Sequence, residues 1–65
     1  MKTHKVGRYT AAAKRAGTHG EYVGLVLDPQ NQTVWSSGRC AGKGAMDRAF
    51  RAALGRAKQL AGLHV

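Results

Sequence analysis

Sixty-five residues allow one domain with a small core, because a chain of this size buries only about 60% of the surface its unfolded form exposes. Function is therefore expected on an outer surface rather than in a deep pocket. Eleven Lys and Arg face three acids, a formal charge of +8, while a lone cysteine, Cys40, excludes an internal disulfide and no apolar run approaches the roughly 20 residues of a membrane-spanning helix.

The absence of a cysteine framework points to a reducing, cytoplasmic location. The first residues, MKTHKVGRYTAAAKRAG, are basic but have no apolar stretch of the kind a secretory signal needs.

In chain order, the stretch HKVGRYTAAAKR supports two readings. Residues 5–13 can form a strand, with Tyr9, Ala11 and Ala13 on one face and Arg8, Thr10 and Ala12 on the other. Alternatively TAAAKRAG forms a short helix, with Thr10 as N-cap and Gly17 as stop. The strand is preferred, because a bare two-stranded hairpin is rarely stable. AGTHGE then becomes the first hairpin loop.

Residues 21–40 read as a β-hairpin. EYVGLVLD and TVWSSGRC are rich in β-branched and aromatic residues, and DPQNQ between them reads as a turn. Pro29 presets the first turn dihedral and Asn31 tolerates a left-handed one. Val23, Leu25 and Leu27 alternate with Tyr22, Gly24 and Val26, and the first set is the expected core face. In one register of the last strand, Trp35, Ser37 and Arg39 join Tyr22 outside. In the other, Trp35 is core and Val34, Ser36 and Gly38 face out.

GRCAGKG (38–44) is not a nucleotide-binding P-loop. Only three residues separate Gly38 from Gly42, and Gly44 stands where that loop needs a hydroxyl. It reads as a strand's end turning into a helix, with one anion contact through Arg39 and Lys43 as its most specific use.

The last element is a helix over 45–61. Met46, Ala49, Phe50, Ala53, Ala57, Leu60 and Ala61 recur at spacings of three and four, giving one apolar stripe. Gly44 is a suitable N-cap, Asp47 falls in the first turn, where the dipole favours it, and Gly62 is expected just beyond the last turn. The fold class is thus α+β: a β-β-β-α domain with an antiparallel sheet packed on one C-terminal helix.

Charge is uneven along the chain. Residues 1–20 carry a net +5, residues 21–42 a net −1 and residues 43–65 a net +4. Such an excess is self-repelling unless a polyanion or an acidic protein surface relieves it. The candidate contacts are Arg39, Lys43, Arg48, Arg51 and Lys58, with Lys5, Arg8, Lys14 and Arg15 as a second patch. Tyr22 and Trp35 are the candidate stacking residues.

The stretch HGEYVGLVLDPQNQTVWSSGR, followed by a helix, resembles the three-stranded-sheet DNA-binding domains at the N-termini of phage tyrosine integrases, an architecture shared with plant ethylene-response-type transcription factors. That resemblance covers about Gly20 to Leu60 and implies a sheet lying in the major groove, braced by the helix. Residues 21–34 hold no cation, where such domains place basic residues along their middle strands. The strand-strand-strand-helix order is also similar to double-stranded-RNA-binding domains, although the lysine cluster at the start of their last helix is here Lys43 alone.

Catalysis is not expected. Glu21, Asp28 and Asp47 are the only carboxylates of side chains, and two of them serve a turn and a helix start. His4, His19, His64 and Cys40 match no zinc spacing, and a Cys40–His19 nucleophile pair lacks an orienting third group. No cofactor or metal is expected. The function expected is nucleic-acid binding, DNA or RNA, mainly through phosphates. The alternative is a phage- or mobile-element-encoded inhibitor binding an acidic surface of a host defence complex, CRISPR-type or another nucleic-acid-processing assembly. A homodimer through the exposed sheet is a third possibility.

Overall fold

The computed structural model describes residues 2–18 and 20–62; His19 and His64, named above, lie outside them. Four strands precede one helix: β1 (Lys2–Val6), β2 (Tyr9–Arg15), β3 (Tyr22–Leu27), β4 (Thr33–Ser36) and α1 (Ala45–Gly62). The strands form one antiparallel sheet in the order β1-β2-β3-β4, and α1 covers one face of it.

The fold is α+β, with one strand more than the sequence suggested. The stretch read as a single strand breaks at Gly7 and Arg8 into a hairpin, in which Val6 pairs with Tyr9. Gly7 takes φ of 62°, as the first central residue of a type II′ two-residue turn requires. No Pro or Asn marks this turn, and one glycine among strand-like residues reads as easily as part of a strand. The other two connections follow expectation. In the loop from β2 to β3, the Ala16 amide donates to the Glu21 carbonyl at 2.8 Å. In the turn from β3 to β4, Asp28 Oδ1 accepts from the Gln30 and Gln32 amides at 2.9 and 2.8 Å, and Asn31 takes φ of 65°.

The face of the sheet that meets the helix is the reverse of the one expected. Ala11 and Ala13 from β2 and Val26 from β3 form the core with Ala49, Phe50, Ala53 and Ala57 of α1. Tyr22 and Gly24 share that face with Val26, whereas Val23, Leu25 and Leu27 lie half-buried on the open face. The reason is packing distance. A Cβ built on Gly24 would lie 2.3 Å from the Ala49 carbonyl oxygen and 3.3 Å from the Ala53 methyl. The alanine stripe of α1 thus lies almost on the backbone of β3, and small-on-small contact replaces the large apolar side chains that alternation alone favours.

Trp35 pairs with Val26 and packs against the core: it lies on the same face as Tyr22, as in the first of the two registers, but that face is turned toward the helix. Tyr22 packs against the same cluster. Neither ring is on the open face, so the stacking role assigned to them there is withdrawn, and a dimer through that face would not bury them. In α1, Met46 departs from the apolar stripe at 38% exposed. The helix extends to Gly62, one residue past the expected end, which leaves its last turn without a basic residue.

Candidate nucleic-acid interface

Beyond Ser36 the pairing with β3 resumes after an irregularity. The Gly24 amide donates to Ser37 Oγ at 2.8 Å, and the Ser37 amide to the Gly24 carbonyl at 2.8 Å. Tyr22 and Cys40 then exchange both backbone hydrogen bonds, at 2.9 and 2.7 Å. Because Arg15 pairs with Tyr22 and Tyr22 with Cys40, the end of β2, the start of β3 and the Arg39–Cys40 segment lie side by side. Two strand spacings, roughly 10 Å, separate Arg15 from Cys40.

The chain leaves that row through Ala41–Gly44 directly into α1. Gly42 and Gly44 take φ of 87° and 76°, which non-glycine residues adopt at a cost. Arg48 closes this loop from the first turns of the helix: its guanidinium donates to the Lys43 carbonyl at 2.6 Å and to the Ala41 carbonyl. In this lacing the carbonyls of Ala41 and Lys43, within GRCAGKG, are organised around the chain's own cation. Lys14, Arg15, Arg39, Lys43 and Arg48 are all exposed and all belong to this one end of the molecule.

The remaining candidates are placed elsewhere. Arg51 and Lys58 are exposed on the outer side of α1, beyond the alanine stripe. Lys5, opposite Thr10, shares the open sheet face with Lys14, together with Thr3, Ala12, Val23, Leu25 and Ser36. Arg8 lies in the β1–β2 turn at the far end. The second patch proposed from sequence is therefore split: Lys14 and Arg15 join Arg39, Lys43 and Arg48, Arg8 faces the other way, and Lys5 lies between them on the sheet.

Two further cations have particular places. Lys2, near the N-terminal half of α1, sits 4.8 Å from the Phe50 ring centroid and 3.8 Å from Asp47. Arg56 lines a groove at the far end with Arg8. Its place beside the apolar stripe was visible in the helical spacing, but the partner across the groove was not.

Lys2–Asp47 is the only ion pair among the described residues, so the rest of the positive charge is uncompensated by side-chain carboxylates there. No group of three or more His, Cys, Asp or Glu among the described residues could hold a metal ion. No helix among them is long and apolar enough to cross a membrane.

No family model, curated protein or solved structure matches the chain. What it binds is read from its own charge and geometry.

Proposed function

We propose that this chain is a small basic nucleic-acid-binding module whose affinity comes from phosphate contacts. The observation that carries the reading is the gathering of Lys14, Arg15, Arg39, Lys43 and Arg48 at one end from three separate stretches of chain, without a partner carboxylate for any of them. Such cations neutralise phosphates and release condensed counterions, so binding is steeply salt-dependent and weak in sequence preference. Arg51 extends the cluster one turn along α1. Lys5 and Lys14, with the hydroxyls of Thr3, Thr10 and Ser36, give the open sheet face the chemistry to follow a groove, in line with the resemblance to sheet-type DNA-binding domains.

A second reading has an observation of its own. Val23, Leu25 and Leu27 are half-buried on a sheet face flanked by Lys5 and Lys14. An apolar row edged by cations suits an acidic protein surface, as an inhibitor of a nucleic-acid-processing complex would need.

The test is the paired variant Arg15→Ala with Lys43→Ala, assayed against duplex DNA, duplex RNA and single strands. Weaker binding to all three, with the log–log salt slope on duplex DNA flattened by about 1.8, supports the phosphate reading. Unchanged affinity and slope remove the cluster from the interface. Loss of affinity for an acidic protein alone favours the second reading.

A further inference from the structure

A groove of about 350 Å³ opens at the end of the molecule opposite the basic cluster, where the β1–β2 turn, the β3–β4 turn and the C-terminal half of α1 converge. The last turn of α1 lies over the first of these turns: a Cβ on Gly7 would contact the Ala61 methyl at 3.4 Å. Arg8 lines the groove from the turn and Arg56 from the helix, while Tyr9, Pro29, Val34 and Leu60 supply its apolar and aromatic walls.

Asp28 also lines it, yet it makes no ion pair with either arginine. Its Oδ1 is committed to the Gln30 and Gln32 amides, so the carboxylate serves its turn. Arg56 spends one donor on Gln59 Oε1, at 3.2 Å, and keeps the rest of its guanidinium. Two arginines from different elements, neither of them in an ion pair, line one concave space and outnumber its single carboxylate. Arginine is the side chain best suited to planar, multi-dentate recognition of a phosphate. The walls suit a flat body attached to that phosphate, and the side-chain amide of Gln30, another lining residue, offers both a donor and an acceptor to a base edge. The volume falls in the range of small-molecule sites.

We propose that this groove binds a nucleoside monophosphate, the phosphate between Arg8 and Arg56 and the base against the Tyr9, Pro29 and Leu60 walls. The chemistry is shared by a free nucleotide and by the phosphorylated end of a strand. The site is independent of the basic cluster, and the two can fail separately.

The experiment titrates adenosine 5′-monophosphate, adenosine and inorganic phosphate into the full chain, followed by amide chemical shifts. Expected is saturable binding of the monophosphate with shifts at Tyr9, Gln30 and Leu60, and affinity about tenfold below it for adenosine and for phosphate. Arg8→Gln and Arg56→Gln, both at exposed positions, should each lose about tenfold while circular dichroism stays unchanged. Arg15→Ala with Lys43→Ala should leave the affinity as it is. A second arm compares short single strands with a 5′-phosphate and a 5′-hydroxyl. A preference for the phosphate that disappears in Arg8→Gln assigns the strand end as the source. No preference, with the free nucleotide still bound, assigns the nucleotide. Equal binding of monophosphate and inorganic phosphate, shifts confined to the basic cluster, or no binding at all overturns the proposal.

Discussion

The backbone of Gly24 lies against the backbone of Ala49, close enough that a Cβ on Gly24 would reach within 2.3 Å of the Ala49 carbonyl oxygen. This contact sets the distance between helix and sheet and decides which face of β3 is core. A backbone carbonyl cannot swing aside as a flexible side chain can. Gly24→Ala should therefore destabilise the fold by about 3 kcal/mol, at the upper end for overpacking. For a domain of this size that lowers Tm by about 12–24 °C. Thermal unfolding followed by circular dichroism checks it, and an unchanged Tm would mean that the helix does not sit this close.

Arg48 and Arg51 are one turn apart on an exposed helix surface, yet only Arg48 is tied to the loop before the helix. Arg48→Ala should cost about 1 kcal/mol of stability through the lost hydrogen bonds and also weaken nucleic-acid binding. Arg51→Ala should leave stability within about 0.5 kcal/mol and reduce the salt slope on duplex DNA by about 0.9. Urea denaturation alongside salt titration of both variants separates the roles. Equal stability of the two would contradict the lacing.

Ser37 repairs the sheet where pairing between β3 and the chain after β4 slips. Its Oγ accepts the Gly24 amide at 2.8 Å and donates to the Gly38 carbonyl at 2.9 Å. Ser37→Ala leaves that part-buried amide without its partner, a loss of about 1 kcal/mol, readable as a lower urea midpoint with an unchanged m-value. Hydrogen exchange should accelerate most at Gly24.

Asn31 holds φ of 65° in the β3–β4 turn. Asn31→Gly should lie within about 0.5 kcal/mol of the parent, whereas Asn31→Val should cost about 1–2 kcal/mol, because a β-branched residue is strained in that region. Chemical denaturation of the two variants gives the comparison.

These positions also mark what was legible in the sequence. The Asp-Pro turn, the left-handed Asn31 and the helix over Ala49, Phe50, Ala53 and Ala57 were readable because local rules govern them: turn dihedrals, and a period of 3.6. Gly24 misled because alternation ranks faces by bulk, and the winning face was the one that let an alanine-lined helix approach. Gly7 misled because one glycine does not distinguish a turn from a strand. The candidate cations were visible singly. That Arg15 and Arg39 come to the same end of the sheet while Arg8 leaves them depends on strand pairing across Tyr22, a tertiary fact with no local signature. The same holds for Arg8 meeting Arg56 across the far groove.

The most direct test of the central claim is a salt titration of binding to a short labelled duplex, read by fluorescence anisotropy. If Lys14, Arg15, Arg39, Lys43, Arg48 and Arg51 engage phosphates, log Kobs falls linearly with log salt with a slope of roughly −5 to −6 on B-DNA. A slope near zero, or no binding even at the lowest salt, would contradict the account and assign the positive charge to a protein partner.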